Sequence, residues 1–251
     1  GMAVGFKANE VWFSEPYRPH AWPPAYVLTT EFPIVGLGVA GQTLVVCTTG
    51  TPYTATGVNP GAMALEKSPV AEPCLTMGSI VSGDNGVLYV SPNGLVHVTN
   101  ASEISNSTDL WVTRAKWREL TPPDHMSAII LASQYFCFGS VTNGDDAYAQ
   151  QGFTIELSQA DKNSFTPWPQ VGGRRIGFTQ MTSPDGYDIY NVLVDPWSGV
   201  GMVVQNGQVF YYDFADTAPT IMAHKWRSKV YQAKSRENMA AFKVFFDIPA
   251  N

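Results

Sequence analysis

The chain has 251 residues, of which 45% are hydrophobic and only 14% are charged, with a formal net charge of −6. This composition excludes a disordered chain, and apolar runs of only a few residues, such as 87–90, exclude a membrane-spanning helix, which needs about 20. The acidic balance argues against nucleic-acid binding, and the length suits one all-β domain, since such domains often reach about 200–250 residues.

The first part of the chain is a series of short strands joined by tight turns. Residues 2–13 predict two strands around a turn at 7–9. Residues 42–48 and 52–56 predict a second pair around Thr49-Gly50-Thr51. Both pairs combine β-prone residues with turn-forming residues between them, which is the usual pattern of a hairpin.

Residues 87–99 predict a third hairpin, with Pro92-Asn93-Gly94 as a three-residue loop. Proline favours the first turn position, and Gly94 can adopt the left-handed conformation that ends such a loop. This register pairs Ser91 with Leu95 and Tyr89 with His97. One face of the hairpin then carries only the aliphatic residues Leu88, Val90, Val96 and Val98.

The second part of the chain contains one short helix and further strands. Thr113 is a suitable N-cap for a helix over 114–120, which Pro122-Pro123 ends. Asn206-Gly207 stands between two β-prone runs, which is a strong indication of a two-residue hairpin turn. The remaining strands are predicted at 135–141, 152–157, 191–194, 202–205 and 208–211.

The spacing of these turns indicates a β-propeller. Turns centred near residues 50, 93, 144 and 206 are separated by 43, 51 and 62 residues, and a propeller blade of four strands takes about 40–50 residues. We therefore predict an all-β, β-propeller-like fold with about four to five blades of antiparallel strands, in one domain covering 1–251. Both ends fall within the strand pattern, so we expect the chain to be an excerpt of a longer protein and the propeller to be incomplete.

The reactive residue types do not form a recognisable catalytic or metal-binding motif. Cys47, Cys74 and Cys137 are far apart and adjacent to apolar residues, which predicts buried free thiols. The four histidines are scattered, and no phosphate-binding loop or nucleophile elbow is present. We predict that the chain is not an enzyme and has no catalytic residues, no metal ion and no cofactor.

The seven tryptophans leave two interpretations open. Exposed tryptophans would form a platform for carbohydrate, whereas in a bladed fold large rings usually pack between sheets. Residues 82–89 partly match the structural turn of sialidase-like propellers, but they depart from it at Leu88 and Tyr89. That turn joins strands and has no catalytic role, so it supports a propeller and not a glycosidase.

Several segments together resemble a known family. They are Asn9–Tyr26, Phe32–Val46, Thr49–Tyr53, Ser79–Val81, Tyr89–Leu95 and Trp226–Val230. In their order and spacing they are similar to phage and prophage virion proteins, which are structural components of the tail or tail nozzle. The resemblance implies a propeller-like platform that is made in the bacterial host cytoplasm, is incorporated into the virion and has no catalytic residues.

The same resemblance implies that the partners are other virion or tail subunits, with homo-oligomers possible in the full-length protein. Segment 14–24 is rich in proline and is our candidate for a protruding interaction loop, although a stiff connector packed on the propeller edge is the alternative. Residues 225–243 contain six basic residues and one acidic residue and either contact phosphates or an acidic subunit, or line a solvated strand edge. The predicted interaction residues are Tyr17, Arg18, His20, Trp22, Trp226 and Arg227.

Overall fold

The structure is a computed structural model, and its secondary structure is organised into five antiparallel sheets. It describes residues 1–108, 112–121, 125–131, 134–141, 149–157, 178–182, 189–205 and 208–211. We call the five sheets blades 1 to 5 in chain order. Within each blade, strands that follow one another in the chain are hydrogen-bonded neighbours.

The strands have the following bounds. Blade 1 contains β1 (Val4–Lys7), β2 (Glu10–Phe13) and β3 (Val27–Thr29). Blade 2 contains β4 (Ile34–Ala40), β5 (Thr43–Thr48), β6 (Tyr53–Thr56) and β7 (Leu65–Lys67). Blade 3 contains β8 (Val81–Gly83), β9 (Gly86–Ser91), β10 (Gly94–Thr99) and β11 (Ile104–Asn106). Blade 4 contains β12 (His125–Leu131), β13 (Gln134–Val141), β14 (Ala149–Glu156) and β15 (Phe178–Thr182). Blade 5 contains β16 (Ile189–Val194), β17 (Gly201–Gln205) and β18 (Gln208–Tyr211).

The first strands of blades 2 to 5 lie side by side, β4 beside β8, β8 beside β12 and β12 beside β16. The blades therefore radiate from a common axis, as in a propeller. Among the described residues the sheets form an open arc and not a closed ring. The predicted all-β, propeller-like fold is confirmed, and the described residues form five sheets, the upper of the two predicted blade numbers.

Each pair of neighbouring blades shares an apolar core, and β5 illustrates why. Leu44 and Val46 pack towards blade 1, while Val45 and Cys47 pack towards blade 3. Successive residues of a strand point to opposite faces, so a strand with a blade on either side is buried at every position. This explains the short continuous apolar runs in the sequence.

The core between blades 3 and 4 contains the largest side chains. Trp117 is 1% exposed and projects from helix α1 (Arg114–Leu120), which has the predicted bounds. Its indole Nε1–H donates a hydrogen bond to the carbonyl oxygen of Ser91 at 2.7 Å, and its ring centroid lies 5.0 Å from that of Phe153. Trp117 thus packs helix α1 against the core between blades 3 and 4.

The hairpin of blade 3 has a different register from the predicted one. Ser91 pairs with Gly94 and not with Leu95, which leaves a two-residue turn. A shift of one residue moves side chains to the opposite face. Val96 and Val98 therefore face blade 2. Gly94 has a φ of +158°, close to extended backbone, and not the left-handed conformation.

The shorter turn is held by a buried carboxylate from outside the hairpin. Glu72 is 9% exposed, and its Oε2 accepts hydrogen bonds from Ser91 Oγ at 2.6 Å and from Asn93 Nδ2 at 3.2 Å. Gly94 is required for a steric reason, since a Cβ at this position would lie 2.2 Å from Asn106 Oδ1 and 2.4 Å from Thr108 Oγ1.

The other predicted hairpins are confirmed by their pairing. In the first, Lys7 pairs with Glu10, so its turn is the tighter Ala8-Asn9. In the last, Gln205 pairs with Gln208 as predicted, while Asn206-Gly207 lies outside the described residues.

Candidate interaction surface

The predicted interaction loop connects β2 to β3 in blade 1, and its first residue is firmly anchored. Ser14 is fully buried. Its Oγ accepts a hydrogen bond from the N–H of Ala3 at 2.8 Å and donates one to the carbonyl oxygen of Glu15 at 3.0 Å. The loop therefore leaves the sheet from a defined position.

Backbone hydrogen bonds then close the loop on itself. The N–H of Glu15 donates to Ala21 O at 2.9 Å, and the N–H of Ala21 donates to Arg18 O at 3.0 Å. Arg18 Nη1 also forms an ion pair with Glu15 Oε2 at 3.1 Å. Exposed ion pairs of this kind contribute only about 0–1 kcal/mol, so the backbone bonds determine the shape of the loop.

Tyr17 is at the tip of the loop in an unusual conformation. Its φ is +61°, in the left-handed region, and its N–H donates to Gly1 O at 2.8 Å. The side chain is 87% exposed, so the ring is held out into solvent. A left-handed backbone costs a residue other than glycine about 1–2 kcal/mol, and burial of the ring does not offset this cost.

The structure brings four of the six predicted interaction residues into one loop. Tyr17, Arg18 and His20 are exposed at its tip. Trp22 is 37% exposed at its base, where its ring covers Gly5, since a Cβ on Gly5 would lie 3.7 Å from Trp22 Cη2. The loop thus combines anchored ends with a protruding tip. Trp226 and Arg227 lie outside the described residues.

Another exposed aromatic residue, Trp197, was not among the six predicted interaction residues. It is 94% exposed in the turn between β16 and β17. The carboxylate of Asp195 accepts hydrogen bonds from the hydroxyl of Ser198 and from the N–H of Trp197, and these bonds lower the pKa of Asp195. The motif Asp-Pro-Trp-Ser-Gly at 195–199 could have indicated this exposure from the sequence. A tryptophan inside so tight a turn has little opportunity for burial.

The three cysteines lie within the apolar cores between blades. All three cysteines are free and buried, as predicted. Burial raises the pKa of the Cys137 thiol to about 12, and a hydrogen bond with Cys74 together with burial raises the pKa of Cys47. Thiols in this state are poor nucleophiles because the thiolate is the reactive form.

Metal-ligand clusters and long apolar helices are absent from the part of the chain that the structure describes. No three His, Cys, Asp or Glu side chains are grouped closely enough there to hold a metal ion, and no helix there is both long and apolar enough to cross a membrane. A depression of about 290 Å³ near the first strands of blades 3, 4 and 5 is lined by Ile80, Val81, Ser82, Ala128, Ile129, Ile130 and Val194. Ser82 is the one polar side chain in that lining.

Comparisons with known proteins give similarity in fold alone. No family model matches the sequence, and no curated protein matches it. Among solved structures, the N-terminal domain of Nup159 is similar with a TM-score of 0.43 and 12% identity over 84% of this chain. The extracellular domain of the hybrid two component system BT4673 of B. thetaiotaomicron has a TM-score of 0.43 and 11% identity over 86% of this chain. Apo AztD from Citrobacter koseri has a TM-score of 0.39 and 10% identity over 82% of this chain. The chain spans 57%, 26% and 64% of the lengths of these three proteins, respectively.

Proposed function

We propose that this chain is a non-enzymatic structural module of a phage or prophage tail, a rigid β scaffold that contacts other virion subunits. The observation that carries the proposal is the anchored loop 14–24, which presents an exposed tyrosine in a strained conformation. The sequence resemblance to virion proteins supports the assignment to a tail. The protein would be made in the host cytoplasm and incorporated into the virion.

The energetics of Tyr17 favour a contact role over a purely connecting role. The residue bears the cost of a left-handed backbone while 87% of its side chain faces solvent. A partner that covered the ring would contribute about 1.5–3 kcal/mol from burial. Tyrosine and arginine are enriched at protein interfaces, and Arg18 is adjacent, with 68% of its side chain exposed.

The scaffold itself supports a mechanical role. Each of the middle blades is buried on both faces, so a displacement of one blade would disturb two cores. Close-packed interiors resist such displacements. A subunit of this kind would transmit force between its neighbours through packing alone.

The assignment to a tail can be tested on virions. The protein that contains this chain should be found by mass spectrometry in particles purified from an induced lysogen that encodes it, in a fixed ratio to the other tail proteins. Its absence from purified, infectious particles would overturn the proposal.

The role of the loop can be tested on the same particles. Tyr17→Ala should weaken binding to neighbouring tail subunits by about tenfold or more, as expected for an interface residue that contributes much of the binding energy. Val58→Ala is the control, because Val58 is 80% exposed and lies on a different blade. Equal binding by both variants would exclude loop 14–24 as the contact.

A second candidate function is recognition of a carbohydrate or a receptor, and Trp197 is the observation that favours it. Its ring is 94% exposed on a rigid turn, and exposed aromatic faces are suited to stacking against sugars. A glycan array probed with the chain should then show binding that Trp197→Ala abolishes and Val58→Ala retains. An array without any bound glycan would remove this candidate.

A further inference from the structure

Two of the three cysteines meet in the core between blades 2 and 3. Cys47 lies on β5 and is 0% exposed, and Cys74 is 4% exposed. Both belong to one cluster of buried side chains, whereas Cys137 belongs to the core between blades 3 and 4. Cys47 and Cys74 are far apart in the chain, so their contact is a product of the tertiary structure.

The backbone places the two thiols side by side. The N–H of Cys74 donates to the carbonyl oxygen of Thr48 at 2.9 Å, so Cys74 lies next to the end of β5. The thiols of Cys47 and Cys74 are hydrogen-bonded to each other. Cys74 Sγ donates to the carbonyl oxygen of Thr76 at 3.4 Å, so its sulfur accepts the S–H of Cys47. The two sulfurs are therefore in direct contact, which is the arrangement from which a disulfide can form.

Cys74 lies in a connection that has no regular secondary structure. Residues 68–76 join β7 to the 3-10 turn Met77–Ser79, and positions 69–71 are exposed. The end of this connection is held by the N–H groups of Cys74 and Leu75, which donate to β5 and β9. Irregular segments open locally at a lower free energy than central strands. Cys74 is therefore the thiol that a reagent reaches first, and the same freedom lets its sulfur approach Cys47.

We propose that Cys47 and Cys74 form a disulfide when the protein meets a small disulfide oxidant such as oxidised glutathione, and that this bond fastens the connection 68–76 to β5. In reducing surroundings the pair remains as two thiols, which is the state in the structure. The inference goes beyond the proposed function, because it holds whether or not the protein belongs to a tail.

The reaction consists of two exchange steps. The thiolate of Cys74 attacks one sulfur of oxidised glutathione, so that a mixed disulfide forms and one glutathione thiolate leaves. The thiolate of Cys47 then attacks the sulfur of Cys74, which forms the Cys47–Cys74 bond and releases the second glutathione thiolate. The protein gives up two protons and two electrons, and oxidised glutathione takes them up to become two glutathione thiols.

Burial makes this reaction slow in the folded chain. The hydrogen bond with Cys74 and burial raise the pKa of Cys47, and the thiolate is the reactive form. We therefore expect oxidation of the folded chain to require local opening of the connection 68–76 and to become faster as pH rises. Refolding in the presence of oxidised glutathione avoids this barrier, because both thiols are accessible in the unfolded chain.

The disulfide should stabilise the fold, because it closes the loop from residue 47 to residue 74 and so restricts the unfolded chain. The same free energy appears in the equilibrium with glutathione. The equilibrium constant for oxidation should be about 30-fold or more larger in the folded chain than in urea. The Tm of the oxidised chain should exceed that of the reduced chain by about 5–15 °C.

The first test identifies the bond. The chain is refolded from urea in a mixture of reduced and oxidised glutathione, its remaining thiols are labelled with iodoacetamide under denaturing conditions, and its peptides are analysed by mass spectrometry without reduction. We expect one pair of peptides linked through Cys47 and Cys74, with the label on Cys137 alone. A label on all three cysteines, glutathione retained on Cys74, or a disulfide that contains Cys137 would each overturn the proposal.

The second test measures the effect of the bond on stability. Dithiothreitol should return the Tm of the oxidised chain to that of the reduced chain. Cys137→Ala is the matched control and should retain this reversible increase, whereas Cys74→Ala should lack it. If Cys74→Ala does not fold, as judged by circular dichroism, Cys47→Ala removes the same bond, and the peptide analysis of the unmodified chain needs neither variant. An increase that persists in either of these variants, or an oxidised chain no more stable than the reduced chain, would refute the proposed cross-link.

Discussion

Gly78 should be among the least replaceable residues of this chain, and Gly78→Ala tests how the blades are joined. Gly78 lies in the 3-10 turn Met77–Ser79 that precedes β8. A Cβ at this position would lie 2.1 Å from the carbonyl oxygen of Met126 in β12 and 3.2 Å from its carbonyl carbon. Both atoms belong to the backbone of the neighbouring blade, so no side-chain rotation can relieve the clash.

The magnitude follows from two opposing effects. Overpacking of a close-packed core costs about 1–3 kcal/mol, and sometimes more. Replacing glycine by alanine also restricts the unfolded chain, which stabilises the fold by about 0.4–1 kcal/mol. We expect a net destabilisation of about 1–2 kcal/mol, and a chain of this length loses about 2–4 °C in Tm for each kcal/mol.

Urea denaturation and thermal melting followed by tryptophan fluorescence would measure the effect. Gly5→Ala is the matched control, because the nearest atom to its added Cβ would be Trp22 Cη2 at 3.7 Å, an ordinary contact. We expect this control to melt within about 2 °C of the unmodified chain, since no clash is introduced. Equal stability of the two alanine variants would refute the close approach between blades 3 and 4.

Three further outcomes are expected. Gly94→Val should destabilise the fold, because its Cβ would meet Asn106 and Thr108 at 2.2 and 2.4 Å; unchanged melting would contradict this packing. Burial lowers the pKa of His97 in the folded chain. As pH falls below about 6.5, this histidine therefore binds a proton in the unfolded chain before it does so in the folded chain. The free energy of unfolding should therefore decrease from pH 7 to pH 5, and less steeply in His97→Gln, as urea titrations can measure. Identical pH dependence in the two proteins would exclude His97 as its cause. Cys137, whose pKa is raised to about 12 by burial, should react with iodoacetamide only after unfolding, and rapid labelling of the native chain would show that it is accessible.

The exposure of loop 14–24 was predictable from the sequence, but its backbone conformation was not. A proline-rich segment with tyrosine, arginine and histidine between two strands is typical of an exposed connection, and the tip is exposed. The positive φ of Tyr17 depends on the hydrogen bonds that close the loop and on the one to Gly1 O. Trp197 was considered only as one of the seven tryptophans that would form a carbohydrate platform, and it was not singled out, because tryptophans in a bladed fold usually pack between sheets. This one lies in a turn too tight to bury it.

The predicted register of the blade 3 hairpin was wrong, and the physical reason lies outside the local sequence of the hairpin. The motif Ser-Pro-Asn-Gly permits both a two-residue and a three-residue loop. Glu72 determines the outcome, because its carboxylate binds both Ser91 and Asn93 from 19 and 21 residues away. A one-residue difference in loop length then exchanges the two faces of β10.

The amino-acid sequence by itself determined that this protein is built of hairpins with blade-sized spacing, because turn residues and apolar runs act on their immediate neighbours. It also indicated that the central strands are covered on both sides, since strands such as β5 and β9 contain short continuous runs of mainly apolar residues. Only the tertiary structure decided which side chains of β10 face each neighbouring blade, and where the backbone of a neighbouring blade leaves no space for a Cβ, at Gly78. Those properties depend on contacts between residues far apart in the chain. Such contacts form, and contribute to stability, only when the blades pack together.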